Sequence, residues 1–406
     1  MSARNLVPTA ILIATSALTT ACGGSDESPG NPASGGSAGS SGGSGGAGAT
    51  GASGGASGGA AGAGGGGAVD WGDAALPCNI KSGYPGDELC ILPPPADKGF
   101  QMHYGPSNYD DPAEVAKYTL APGGETTDCI FMDLPNDQEV YFNEYHGRMR
   151  PNSHHMLLYV EDGDKPNSTE PGPCNQGTST RNIFGAQEMV TDVKGGESKA
   201  PENVGLAVML KPHLQGVVQV HFVNTSATET ILRETWANVV YIDKSEVKQL
   251  GDPIFFIGGA FTTIPAHSDH VTVAHATVPS MAGAEGIRLV IGTGHYHAHT
   301  IRFSAWKTVG GVKESLFEDY DWHDPALMRF DSVKKNDTPD AEAGVAGGYS
   351  GIVQLYPGDR IDWECEVHND SDIPLSFGNA VYEAEMCNMF GLYAPSFGDA
   401  WGATNF

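Results

Sequence analysis

Short β-branched runs, broken every few residues by Gly, Pro, Asn or Asp, leave most of this chain little choice but sheet. Met156–Val160, Gly216–Val223, Trp236–Ile242, His270–Ala274, Ile287–Ile291 and Thr300–Phe303 are such runs. Each is too short for a helix and rich in residues that favour a pleated surface. Ile352–Tyr356, then Pro-Gly-Asp, then Arg360–Cys365 reads as a hairpin. Apart from the N-terminal apolar run, no long helical period is evident. Many short strands with turn signals predict an all-β fold of antiparallel sandwiches. The length available predicts two of them, at 71–248 and 249–406, divided near the polar turn Lys248-Gln-Leu-Gly-Asp-Pro253.

The first seventy residues cannot join that core. Residues 1–22 carry Arg4, an apolar run and small residues ending at Cys22, the pattern of a secretory signal. Leu18-Thr19-Thr20-Ala21-Cys22 looks like a lipobox with Thr19 in place of the usual aliphatic residue, so Cys22 is the expected lipidation site. Ordinary cleavage near Ala21 is the alternative. Residues 23–70 are almost wholly Gly, Ala and Ser and lack the apolar bulk to offset chain entropy. They are expected to form a disordered tether reaching roughly 35–40 Å. The expected location is the bacterial cell envelope, with a lipid anchor; Gly23 rather than Asp after Cys22 points to the outer membrane.

A formal charge of −27 excludes a nucleic-acid footprint and docking on anionic lipid. Its plainest reading is a solvated acidic surface. Setting Cys22 aside leaves Cys78, Cys90, Cys129, Cys174, Cys365 and Cys387. An even set in an exported chain implies disulfides, and six cysteines allow fifteen pairings. A bridge closing a short loop contributes about 3 kcal/mol.

The chemistry-bearing residues are scattered. On a strand, residues two apart share a face, so His295, His297 and His299 can point the same way and two of them can chelate a metal. The competing reading is ordinary hydrogen-bonded histidines. His154 and His155 are neighbours, and both reach one ion only if the backbone is irregular there, which Pro151-Asn-Ser153 makes plausible. His221 shares a strand face with Gln219, opposite Val218 and Val220; Gln219 could orient it or line a cleft. Met386 is a thioether with Met389 as its rival. Imidazole suits copper, zinc, iron and nickel, whereas a thioether singles out Cu(I). A His/Met set therefore points to copper redox chemistry.

In order, these pieces resemble the copper type II, ascorbate-dependent monooxygenases, the family of peptidylglycine α-hydroxylating monooxygenase and dopamine β-monooxygenase. The matching segments are His-His-Met-Leu-Leu at 154–158, Val-Gln-Val-His-Phe at 218–222, His-x-His at 295–297 and Glu-Met-Cys-Asn at 385–388. Pro201-Glu-Asn-Val-Gly205 and Pro357-Gly-Asp359 match in kind, and the likeness runs from Cys129 to Met389. The resemblance implies two jelly-roll-like domains with one copper each. His154, His155 and His221 would hold an electron-transfer copper; His295, His297 and Met386 would hold the catalytic, oxygen-activating one. The activity implied is hydroxylation of a substrate C–H bond with O2 and a reductant such as ascorbate. The family pattern also implies the bridges Cys129–Cys174 and Cys365–Cys387, which leaves Cys78 and Cys90 for each other.

Two departures bear on the substrate. Peptide-amidating members grip a carboxylate with an arginine two residues before the His-x-His pair, where this chain has Thr293. They also use a tyrosine four residues after the ligand methionine, where this chain has Phe390, while Asn388 is retained. Without the bidentate arginine a free carboxylate lacks its partner. The expected partners are thus an unidentified small-molecule or peptide-like substrate and an electron donor. A non-catalytic copper-binding or storage lipoprotein, or a stalked interaction module, is the alternative class.

Overall fold

A computed structural model describes residues 75–398 apart from 164, 169, 175–179, 195–202, 259–262, 331–344 and 347–350. The signal segment, the Gly/Ala/Ser tract and Cys22 lie outside the described residues. The fold is all-β, and its helical segments are single short turns such as Pro112–Lys117.

The first half packs two sheets face to face. One runs in the order Gly99–Tyr104, Thr235–Tyr241, Val140–Met149, Leu206–Leu210, Gln249–Leu250; the other runs Glu125–Asp133, Gln215–Val223, Ser153–Glu161, Arg181–Ala186. Alternation decides which side chains fill the space between them. Met156, Leu158 and Val160 point inward beside Val218, Val220 and Phe222, and meet Met102, Phe142 and Val239 of the facing sheet. The second half repeats the plan. Asp252–Gly258, Cys387–Ala394 and Ile287–Tyr296 form one sheet; Ser268–Thr277, Arg360–Asn369, Thr300–Val309 and Val312–Asp319 form the other. Phe256, Leu289, Met389, Phe303, Phe317 and Trp363 make its separate core. The chain passes from one sandwich to the other at Gly251, between Leu250, which pairs with Ala207, and Asp252, which pairs with Tyr393.

The expected hairpin at Pro357-Gly-Asp359 is not one. Val353–Leu355 pairs with Ile287–Leu289, whereas Arg360–Asn369 pairs with Ser268–Thr277 and Thr300–Val309 in the opposite sheet. The turn is tight, with Gly358 at φ +94° and the Tyr356 N–H donating to Asp359. It carries the chain across the sandwich, a choice that local turn chemistry does not encode.

The cysteines pair as 78–90, 129–174 and 365–387, with Cα separations of 5.3, 4.9 and 5.9 Å. The segment holding the first bridge is pinned by Arg150. That buried guanidinium donates to Glu234 and Asp87, both at 2.8 Å, and to the Pro85 carbonyl.

Candidate metal centre

The site forms where the outer face of one sheet from each half meets the other. Strand alternation sends Met156, Leu158, Val218 and Val220 into the first core. It therefore turns His155, Leu157 and Tyr159, with Gln219 and His221, to the opposite face. In the second half Cys387, Met389 and Tyr296 face the core, so Asn388, Phe390, Thr293 and His295 look outward. The two outward faces touch through apolar contacts. Tyr159 meets Phe255 edge-on at 6.3 Å, Phe255 stacks on Phe390 at 4.8 Å, and Leu157 and Val217 pack beside them.

Five imidazoles converge at this seam. His154 lies 5.1, 5.2, 5.4 and 5.2 Å, centroid to centroid, from His155, His221, His295 and His297. Potential ligand atoms of His154, His155 and His221 lie within 4.8 Å of one another, and so do those of His154, His295 and His297. The resemblance implied one separate centre per half; the seam brings both histidine sets into one cluster, with His154 in reach of each.

The local backbone makes this possible. The register of Ser153–Glu161 against Gln215–Val223 slips between Ser153 and His155, a bulge preceded by Asn152 at φ +69°. A bulge re-aims one side chain, so the adjacent His154 and His155 both reach the cluster. His299 goes elsewhere. The strand ends at Tyr296, and in the following turn His299 bonds the Tyr382 carbonyl through Nε2 and faces Asp370 at 3.3 Å through Nδ1. Met389 is a core residue, which removes it as a rival to Met386. Of the other histidines, His103 bonds Glu234, and His146 lies between Glu144 and Asp192.

All five rings are buried. Burial, then the neighbouring rings, hold His154, His155 and His295 well below the ordinary histidine value; burial also pushes His297 down, to about 4. These four rings are therefore neutral near pH 7, each with a lone pair available. Hydrogen-bond partners leave a nitrogen open on each of the five. His221 Nε2 is 2.8 Å from Glu125 and His297 Nδ1 is 3.3 Å from the Ala384 carbonyl. His154 Nε2, both nitrogens of His155, His221 Nδ1, His295 Nδ1 and His297 Nε2 are buried without a hydrogen-bond partner among the described residues. Orphaned imidazole nitrogens are costly in a protein interior, and a soft or borderline metal ion satisfies them. The donor set fits copper.

Two carboxylates that sequence reasoning missed hold the arrangement. Burial works to raise Glu125, but hydrogen bonds from His221 and from the Val381 N–H at 2.7 Å outweigh it and keep the carboxyl below its usual range. Glu125 thus orients a ring of the first half while holding backbone of the second. Nothing in the sequence around it marks that role. Glu385 lies inside the Glu-Met-Cys-Asn segment. It accepts from the backbone N–H groups of His297 at 2.6 Å, Met386 at 2.9 Å and His299 at 3.2 Å. One carboxylate oxygen shared by His297 and Met386 fixes those two residues side by side. The Met386 sulfur, also buried, receives the Asn388 amide at 3.5 Å. Gln219 lies beside His155 and works against the burial that depresses that ring. Trp322, 5.7 Å from His154, and Phe390, stacked at 5.3 Å on His295, screen the cluster.

Beside the cluster lies a cleft of about 370 Å³, solvent at its mouth included. Leu157, Thr293, Phe390, Gln187, Glu188 and Thr191 are among the residues that line it. Burial, and then the adjoining Asp324 carboxyl, push Glu188 up to about 7.

No family model matches the sequence, and no curated protein does. Among solved structures, the N-terminal CBM22-1–CBM22-2 tandem domain of Paenibacillus barcinonensis Xyn10C aligns with 9% identity over 68% of this chain and 92% of that one. The TM-score is 0.17, a superposition too slight to bear on the site.

Proposed function

We propose that this chain is a copper-dependent monooxygenase. It hydroxylates a substrate C–H bond with O2 and a reductant such as ascorbate. Its copper ligands are His154, His155 and His221 on one side and His295, His297 and Met386 on the other. The observation that carries this reading is the convergence, from both halves of the molecule, of five buried imidazoles, each with a nitrogen that has no partner among the described residues. Copper, when bound, supplies one-electron redox chemistry and oxygen activation. The protein's own contribution is positional. Glu125 and the Ala384 carbonyl fix which nitrogen of His221 and His297 stays free. Glu385 holds His297 and Met386 together. Phe390 and Trp322 keep water from the rings. One imidazole nitrogen serves one ion, so two ions at once require Met386 to complete the set that His154 leaves. The three disulfides fit an exported protein, in keeping with the proposed envelope location behind a lipid-anchored tether.

The test is copper stoichiometry followed by oxygen uptake. Near two coppers per chain are expected, with one lost in His221→Ala and in His154→Ala, and the other lost in Met386→Ile. Reductant-dependent oxygen uptake with a C–H substrate separates an enzyme from a copper store. Zinc alone after copper exposure would sink the copper reading.

A further inference from the structure

The cleft is continuous with the histidine cluster through three strands. Leu157 lies two residues beyond His155, Thr293 two before His295, and Phe390 two beyond Asn388, the cross-strand partner of His295. Two residues along a strand is the same face at about 6.5 Å, so a molecule in the cleft lies one such step from the imidazoles.

Its lining is chemically specific. Leu157, Pro325, Leu327 and Phe390 give it apolar walls, and no lysine, arginine or histidine is among the described residues that line it. Two polar side chains break the apolar surface. Thr191 is 9% exposed and its hydroxyl has no partner among the described residues; the Gln187 Nε2 is buried and equally without one. A hydroxyl can donate, and an amide nitrogen can only donate. An ammonium would set donor against donor at the Gln187 nitrogen, while the Glu188 carboxyl on the same wall could accept from it, so a cationic probe is a deciding arm of the test. A carboxylate would meet the Glu188 carboxyl, which Asp324 adjoins, with no cation among the lining residues to offset the charge.

We propose that this cleft binds a neutral, largely apolar molecule with a carbonyl- or amide-type acceptor, held by the Thr191 hydroxyl and the Gln187 amide N–H. Thr191 and Gln187 are specificity-determining residues of the cleft. As the substrate class of the hydroxylation the proposal rests on the monooxygenase reading; as a binding site it does not.

The experiment uses metal-free protein and four probes of similar size: benzamide, benzoate, benzylamine and toluene. Binding is measured by calorimetry or ligand-observed NMR. Benzamide is expected to bind about fivefold or more tighter than the others. Thr191→Val and Gln187→Leu should each weaken benzamide about fivefold and leave toluene unchanged. Thr191→Ser, which keeps the hydroxyl, should retain wild-type affinity, and thermal melts verify that each variant folds. Tighter binding of benzylamine or benzoate, equal binding of toluene, an unchanged Thr191→Val, or no binding by any probe overturns the proposal. Failure to bind copper with benzamide selectivity intact would defeat the monooxygenase reading and leave the cleft standing.

Discussion

Glu125 acts through two hydrogen bonds, one to His221 and one to the Val381 backbone. Removing its charge should loosen the ring it orients. Glu125→Gln is expected to lower copper affinity by about 10–100-fold, the usual cost of losing an orienting carboxylate; competition with a chelator measures it, and unchanged affinity would refute the role. Asp319 offers a separate check, on stability. Burial first raises its carboxyl from 3.8 to about 6. A raised folded value means the unfolded chain ionises first as pH climbs. Stability from this group is therefore full below about pH 3.8 and falls until about pH 6. Asp319→Asn should flatten that slope in urea titrations across the window. At this scale the histidines were legible because their residue type and neighbours announce chemistry. The two carboxylates were not. Glu125 is distant in sequence from everything it touches, and Glu385 acts on backbone N–H groups that carry no sequence mark.

Strands were the easiest elements to anticipate, because a period of two and β-branched residues are local properties. The bulge at His154 was legible too, since two adjacent histidines can share a target only off a regular strand. The false hairpin and the diverging His299 show the limit. Both depend on where a strand stops and which neighbour it meets. Close packing of elements also decides which glycines are irreplaceable. A Cβ on Gly258 would collide with the Cys387 carbonyl oxygen and with Trp363 Nε1. That same carbonyl accepts the Trp363 indole N–H at 2.9 Å beside the strand that follows Met386. Gly258→Ala should cost about 3 kcal/mol from overpacking, only partly offset by reduced unfolded-state entropy. Chemical denaturation checks it, and a change under half that size would show that the strands yield.

Across the whole molecule, two cores meet at a thin seam of Tyr159, Phe255, Leu157 and Phe390. A single ion held by His154, His295 and His297, whose ligand atoms lie within 4.8 Å of one another, would tie one sandwich to the other. Copper at about a hundred times its dissociation constant should stabilise the fold by about 2.7 kcal/mol and merge the unfolding of the halves into one transition. Calorimetry of the wild type and of His295→Ala tests this: the variant should keep separate transitions with copper present. The sequence by itself determined the all-β class and the candidate ligand residues, because hydrophobic period and side-chain chemistry are written locally. The order of the motifs implied the cysteine pairs that the fold contains. Only the tertiary structure decided that the two histidine sets share one seam, that His154 reaches both, and that Glu125 links the halves. Those facts depend on which sheet faces pack together, and that is settled by the burial of residues more than a hundred positions apart.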